Sequence, residues 1–298
     1  MKYFKGSKLN ARRSLLENPY AHLEQLEDPI PMYSTEADVV SASRRSPKNQ
    51  YAQLDGDGRL SATSPFAGEA RRSVDSFENV ERIAIDLQRN IWHERNRLWP
   101  NGVPKSAMAM LDPSKASAFL GYEFEVADTL GVYSDRPGKI AVAGQIDRIK
   151  RQIRISAEFD TPVQMFTAAH EVGHLLLHPH LNHLHRDRGL NGFGVARDRV
   201  ELEADKFAVY FLLPEKLVRK EFESSFITNA FFLTEETAYA LLGKPSHEFG
   251  KLLGNRRKLS RYLASAKSYN GLNFYSMAER FSVTVETMAI RLEELGIV

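Results

Sequence analysis

The stretch FTAAHEVGHLLLHPH, residues 166–180, contains four of the nine histidines in this 298-residue chain. It follows Asp160 and Thr161, either of which can cap a helix, and Pro162, which suits a first helical turn. Pro179 cannot continue a helix and therefore ends it. The pattern predicts an apolar, histidine-rich helix of about four and a half turns, around which the rest of the fold has to be arranged.

Two histidines of this helix, His170 and His174, are one turn apart. Successive residues turn by about 100°, so the two imidazoles project from one face at a separation of roughly 6 Å. Zinc takes nitrogen or carboxylate ligands at about 2.0–2.2 Å, and a catalytic site keeps one position for water. Glu171 lies beside this face and can hydrogen-bond that water, as in the H-E-x-x-H motif of metalloproteases. The alternative is a structural helix whose histidines are only polar residues.

A catalytic zinc site needs a third protein ligand, and His180 is one candidate. Its spacing from the histidine pair matches the H-E-x-x-H-x-x-G-x-x-H motif of metzincins. However, that motif requires a glycine where this chain has Leu177, and Pro179 directly precedes the candidate ligand. These two departures from the motif make His180 a weaker candidate than a donor further along the chain.

The segment VELEADKFAVYFLLP predicts a second helix that ends before a proline and offers another candidate, Glu201. On a helical wheel Glu201 lies at the edge of the apolar face, whereas Glu203 falls about 200° away on the polar side. A carboxylate near the core has to be paired or to coordinate an ion, so Glu201 is the better ligand. Asp205 is either a hydrogen-bond partner of a ligating imidazole or a surface residue that pairs with Lys206 or Arg199.

Composition limits the chemistry that is available to the chain. Forty basic and 38 acidic residues leave a net charge of +2, which does not by itself indicate nucleic acid or an anionic membrane as a partner. The absence of cysteine excludes thiolate catalysis and sulfur ligands, so a metal would need His, Asp or Glu. The sequence contains neither an apolar run of about 18 residues nor the apolar segment of a signal peptide. We therefore expect a soluble cytoplasmic protein with no membrane partner.

Three regions follow one another along the chain. Residues 1–75 mix charged residues with Ser, Gly and Pro and predict an extended or weakly ordered N-terminal arm. Residues 76–214 have periodic apolar patterns and contain both predicted site helices, so we assign them to a zinc metallopeptidase core. Residues 215–298 predict a helical C-terminal region that closes with a helix, a turn and a helix.

Apolar periodicity predicts the elements that precede the histidine-rich helix. Helical spacing predicts a helix at 77–91, and alternation predicts strands at 122–126 and 152–155. The apolar segment KIAVAG, residues 139–144, predicts a third strand. The expected fold class is α+β, with a small sheet packed on the H-E-x-x-H helix and followed by the helical C-terminal region.

Three segments together resemble the ImmA/IrrE family of bacterial metallopeptidases. They are FTAAHEVGHLLLH, then ELEADKFAVYFLLP at this distance, then SMAERFSVTVETMAIRLEELGIV at the end of the chain. The resemblance covers roughly residues 77–298, and its specific motifs lie between 166 and 214. The family belongs to the gluzincins, whose third zinc ligand is a glutamate in an E-x-x-A element that Glu201 and Ala204 match.

The resemblance implies a zinc metalloendopeptidase, with His170, His174 and Glu201 as Zn2+ ligands and Glu171 as general base. It further implies a protein substrate, a co-encoded helix-turn-helix repressor whose cleavage would regulate transcription of a mobile element or a stress response. The residue that stabilises the oxyanion stays open among four histidines. These are His178, His180, His183 and His185. Tyr210 is left out because its wheel position lies opposite Glu201.

Two alternatives have no peptidase turnover. One is a zinc-binding sensor, which would need the same ligands. The other is a DNA-binding regulator that uses the terminal helix-turn-helix-like segment or the local basic stretch at 244–267, which has seven Lys or Arg residues against Glu248. The predicted last helix offers only Arg291 against three glutamates, so packing is a more natural role for it than phosphate contact.

Overall fold

The computed structural model of the protein describes residues 67–133, 140–179, 183–185, 199–243 and 255–298. Within these ranges the fold is α+β, as predicted, with a small mixed sheet and a mostly helical remainder. None of the described helices combines the length and the apolar character that a membrane span requires. Most of the N-terminal arm predicted at 1–75 lies outside the described residues.

The described helices and strands carry the following labels in chain order. The helices are α1 (Ala67–His93), α2 (Arg95–Leu98), α3 (Pro113–Phe119), α4 (Thr161–Leu177), α5 (Arg199–Leu212), α6 (Glu215–Phe226), α7 (Glu235–Leu242), α8 (Arg256–Ser265), α9 (Met277–Arg280) and α10 (Val285–Glu294). The strands are β1 (Glu123–Ala127), β2 (Val132–Tyr133), β3 (Ile140–Ala141), β4 (Gly144–Asp147), β5 (Gln152–Ser156), β6 (His183–His185), β7 (Ser268–Tyr269) and β8 (Leu272–Asn273).

The larger sheet has the strand order β1-β5-β4-β6. Strand β1 runs parallel to β5, whereas β4 runs antiparallel to both of its neighbours. Ile146 on β4 and Ile153 on β5 lie opposite each other in the register, and both are fully buried. Because β4 and β5 both contact α4, the sheet packs on the helix that carries the H-E-x-x-H motif.

The strand predicted at 139–144 is divided in the structure. Ile140 and Ala141 form β3, which pairs with β2 in a separate two-stranded sheet, and β4 of the larger sheet begins at Gly144. Val142 and Ala143 connect the two strands and are buried. A continuous apolar run cannot show where a chain leaves one sheet and joins another, so the sequence merged two strands into one.

Helix α4 begins as the sequence predicts, with Asp160 at the N-cap position and Pro162 in the first turn. In the described contacts, however, the Asp160 side chain accepts no capping hydrogen bond from that turn. Its backbone carbonyl accepts from Val163 and Gln164 instead. Packing, rather than a side-chain cap, therefore fixes the start of this helix.

Helix α1 packs against α5. It begins at Ala67, so the predicted boundary at 75 falls inside this helix. Its apolar face is buried, and Gln88 on the same helix donates hydrogen bonds to the carbonyl oxygens of Tyr210 and Phe211 at 3.0 and 2.9 Å. The buried residues of this face are Val80, Ala84, Leu87 and Ile91.

The C-terminal region packs against the end of α5 through Arg291 of α10. This side chain is only 4 % exposed, and its Nε donates to the carbonyl oxygen of Leu213 at 3.1 Å. Its guanidinium carbon lies 5.2 Å from the centre of the Tyr210 ring. Lys206 of α5 forms an ion pair with Glu294 of α10. The last helix is therefore part of the packing that holds α5 in place.

Candidate metal centre

Helix α4 carries the three residues of the H-E-x-x-H motif into the interior of the protein. His170, Glu171 and His174 are each at most 1 % exposed. Burial of three polar side chains is costly unless they are paired or coordinate an ion. Solvated histidines, one form of the structural alternative, are therefore not what this helix has; its histidines make hydrogen-bond contacts inside the protein.

The side chain of Glu201 on α5 meets the two imidazoles at one point. The Nε2 atoms of His170 and His174 are 2.8 Å apart, and each lies 3.4 or 3.5 Å from a carboxylate oxygen of Glu201. The three residues form a group whose donor atoms all lie within 4.8 Å of one another. The sequence-predicted set is therefore brought together by two helices.

Two of these three separations fit a four-coordinate ion. Ligands at about 2.0–2.2 Å in a tetrahedron lie about 3.3–3.6 Å apart, which matches both separations from Glu201 to the histidines. The distance of 2.8 Å between His170 Nε2 and His174 Nε2 is shorter than this tetrahedral spacing. Two imidazole nitrogens and one carboxylate are also the donor types that zinc accepts.

Electrostatics favours the ligand forms of these side chains. Burial lowers the pKa of His174 to about 4, and the neighbouring His170 acts in the same direction. Burial by itself raises the pKa of the Glu201 carboxyl, but hydrogen bonds from His170 and His174 outweigh it and hold that pKa well below its usual range. A neutral imidazole and an ionised carboxylate are the forms that bind a cation.

Asp205, one turn after Glu201, contacts the outer nitrogen of His170. Its Oδ1 lies 2.8 Å from His170 Nδ1, and Asp205 is only 4 % exposed. The sequence left open a surface pair with Lys206 or Arg199; among the described contacts, Lys206 pairs with Glu294 and Arg199 with Glu203. A carboxylate on the outer nitrogen fixes the tautomer that leaves Nε2 free for a metal.

The structure differs from the helical wheel at Glu203. The wheel placed this residue on the solvent side, but its side chain is only 19 % exposed and accepts a hydrogen bond from His178 at 3.1 Å. His178 is the C-cap residue of α4 and in turn contacts His174. The wheel gives angles around α5 but cannot show that the end of α4 covers this side of it. The signal in the sequence was His178 itself, one turn beyond His174.

The other candidates for oxyanion stabilisation are placed as follows. Both ring nitrogens of His178 are engaged, one by His174 and one by Glu203, so its N–H is not directed at an oxyanion. His180 lies outside the described residues. Its two predicted roles, oxyanion stabilisation and third metal ligand, therefore both remain predictions. For His183 and His185 the structure describes the backbone of β6 but not the side chains.

Glu171, the candidate general base, is fully buried against strand β4. A Cβ atom added to Gly144 would lie 3.0 Å from Oε1 and 3.2 Å from Cγ of Glu171. The same atom would lie 2.5 Å from Cγ2 of Thr167, on the preceding turn of α4. The absent side chain at Gly144 thus makes room for the carboxylate of Glu171.

A second glycine, Gly173, lets α4 and α5 approach closely. A Cβ atom at this position would lie 3.0 Å from Cδ1 of Phe207 and 3.2 Å from Cα of Ala204. The second contact is to backbone, which cannot move without shifting α5 itself. The approach of Glu201 to the histidine pair therefore depends on the lack of a side chain at Gly173.

We expect Gly173→Ala to weaken zinc binding about tenfold while the protein still folds. The added methyl would move α5, and with it Glu201, by a few tenths of an ångström, and overpacking costs about 1–3 kcal/mol of stability. Competition with a chromophoric chelator measures the affinity, and thermal unfolding measures the stability. Val218→Ala removes a buried group from α6 and is the matched control. If both variants lowered zinc affinity equally, general destabilisation would explain the effect.

A helix with two histidines one turn apart, an intervening glutamate and a third ligand from the following helix is the arrangement of zinc metallopeptidases. Comparison with known families agrees. Residues 123–236 match the family model described as the IrrE N-terminal-like domain of the M78 peptidases. This match confirms the resemblance to the ImmA/IrrE family over residues 123–236. No curated protein matches the sequence significantly.

Proposed function

We propose that this protein is a zinc-dependent endopeptidase. The observation that carries the proposal is the convergence of His170 Nε2, His174 Nε2 and the Glu201 carboxylate on one point, with Glu171 buried on the same helix. The M78 family supports a metallopeptidase-type activity. The donor set of two imidazoles and one carboxylate, without cysteine, supports zinc as the metal.

The chemistry of the site is hydrolysis of a peptide bond. When bound, the ion supplies Lewis acidity, which lowers the pKa of water and polarises the scissile carbonyl. Glu171 accepts the proton of the attacking water and returns it to the amine of the departing product. Asp205 orients His170, and Gly144 leaves space for the carboxylate of Glu171. The peptide bond breaks, one water molecule is consumed, and no further reactant is needed.

The substrate that we propose is a helix-turn-helix repressor or a similar regulatory protein encoded beside this one. Its cleavage at one or a few bonds would release transcription of a mobile element or a stress response. The support is the family resemblance alone, and this activity would take place in the cytoplasm. Such a substrate is a folded protein, so the site has to receive a flexible loop or linker of it.

Incubation of the zinc-loaded protein with the repressor of the adjacent gene tests this proposal. We expect one or two discrete fragments in mass spectrometry, loss of cleavage with a zinc chelator, and recovery on adding zinc back. If the protein binds one zinc ion but cleaves neither the repressor nor unstructured peptides, it is the zinc-binding sensor instead. A pure protein that takes up no metal would contradict both.

The contacts of the basic stretch favour a peptidase over a DNA-binding regulator. Arg256 donates hydrogen bonds to the carbonyl oxygens of Val298 and Glu293 at 2.9 and 3.0 Å. Arg257 is 11 % exposed and pairs with Glu286 and Glu293. Both arginines connect α8 to the C-terminal end of the chain, and the charge of Arg257 is compensated by two carboxylates. Residues 244–254 of the stretch lie outside the described part of the chain.

A further inference from the structure

The second metal-facing imidazole, His174, has a hydrogen-bonded support of its own. His178 is only 3 % exposed, and its Nδ1 lies 3.1 Å from His174 Nδ1. On the other side of the ring, His178 Nε2 lies 3.1 Å from Oε2 of Glu203. The chain of contacts therefore runs from the candidate ligand through a second imidazole to a carboxylate on α5.

The positions of the protons on the imidazoles determine which group donates in each of these hydrogen bonds. His174 points Nε2 towards His170 and Glu201, and a nitrogen that binds a cation carries no proton. A neutral His174 must then hold its proton on Nδ1, where His178 Nδ1 is the acceptor. His178 consequently has its own proton on Nε2, which it donates to Glu203. The three groups are satisfied only in this order.

Further contacts hold both ends of the chain in position. Arg199 donates from Nε to Oε1 of Glu203 at 2.8 Å and so orients this carboxylate. Arg148 donates to the carbonyl oxygens of His174 and His178 at 2.8 and 3.0 Å, which fixes the last turn of α4. Charge-assisted hydrogen bonds of this kind are the strong ones in proteins.

We propose that His178 and Glu203 are positioning residues for the metal ligand His174. They hold its ring in the orientation and tautomer that present Nε2 to the ion, as Asp205 does directly for His170. Helix α5 thus supplies one ligand, Glu201, and both carboxylates that support the histidine pair. The inference rests on the proposed function only for the presence of a metal, and not for peptide cleavage.

Zinc affinity and the visible spectrum of the cobalt-substituted protein test this role. We expect His178→Phe to bind zinc about 10–100-fold more weakly, because loss of such a support has this effect on metal sites. The absorption bands of bound Co2+ should shift, since one imidazole is no longer held in its orientation. His178→Gln should recover most of the affinity, because its amide oxygen can accept from His174 while its amide N–H donates to Glu203.

Glu203→Ala tests the last group in the hydrogen-bond series that runs from His174 through His178 to Glu203, and it has a matched control. Glu215 also accepts a hydrogen bond from an arginine four residues away, at 2.7 Å compared with 2.8 Å for Glu203, but it lies on α6. We expect Glu203→Ala to weaken zinc binding about tenfold and to shift the cobalt bands. Glu215→Ala should change neither.

Wild-type affinity and an unchanged cobalt spectrum in His178→Phe would overturn the inference. If that variant does not fold, the same result for Glu203→Ala would overturn it. A wild-type protein that binds zinc tightly but cleaves no peptide would overturn the proposed function and leave this inference standing. Wild-type protein that takes up no zinc would overturn both.

Discussion

Replacing Glu171 with Gln is expected to leave zinc binding unchanged and to reduce peptide cleavage by about 10²–10⁴-fold. The three candidate ligands do not include this residue, and glutamine occupies nearly the same volume in the fully buried site. An amide oxygen, however, cannot take a proton from water near neutral pH. The loss should therefore appear in kcat, with the affinity for the protein substrate retained.

Two measurements on the same preparation separate the role of Glu171 from that of the ligands. Metal analysis should give one zinc ion per chain in Glu171→Gln, as in the wild type, while the cleavage rate of the repressor falls. In Glu201→Ala, by contrast, zinc content and cleavage should be lost together, because a ligand is missing. If Glu171→Gln cleaved at the wild-type rate, another group would be the base.

The positions of the candidate ligand pair and of the candidate base were predictable because they depend on local geometry. His170, Glu171 and His174 lie on one helix, so their relative directions follow from its turn angle alone. Glu201 required one more step, the argument that a carboxylate near the apolar face needs a partner. The structure brings Glu201 to the histidines, which is what that step anticipated.

The parts that the sequence did not provide depend on contacts between distant segments. Whether Asp205 faces His170 or the solvent was undecided, and Glu203 was expected on the solvent side of α5, where the end of α4 in fact covers it. Both depend on how closely α4 packs against α5, where a Cβ atom at Gly173 would lie 3.0 Å from Cδ1 of Phe207. A helical wheel describes one helix without its neighbours, so it cannot predict which polar residues are covered by another element.

The strand that borders the site was missed for a similar reason. The apolar run at 139–144 predicted one strand, but only its last residue, Gly144, belongs to β4, whose neighbours are β5 and β6. Pairing among strands that are not consecutive in the chain is set by the whole sheet, and alternation in a single segment does not encode it. The close contact between Gly144 and Glu171 was therefore invisible in the sequence.

This contact leads to the second large expected effect, a loss of about 10²-fold in cleavage for Gly144→Ala with little change in zinc affinity. The new Cβ would lie 2.5 Å from Cγ2 of Thr167 and 3.0 Å from Oε1 of Glu171, so at least one side chain has to move. Strand β4 cannot easily withdraw, because it is paired on both edges. Thr167 is β-branched and stiff at χ1, whereas Oε1 is the far end of the longer Glu171 side chain, so displacement of the carboxylate is the easier response.

A compensating substitution distinguishes displacement of the base from a general loss of structure. Thr167→Ser removes the Cγ2 atom that makes the shortest contact and keeps the hydroxyl group. Alone it should change cleavage only slightly, and combined with Gly144→Ala it should restore a large part of the rate. The readouts are kcat/KM on the repressor, zinc affinity and thermal unfolding of all three variants. Full activity of Gly144→Ala would show that Glu171 does not need this space. If that variant unfolds and Thr167→Ser does not rescue it, Gly144 is needed for the stability of the sheet rather than for the position of Glu171.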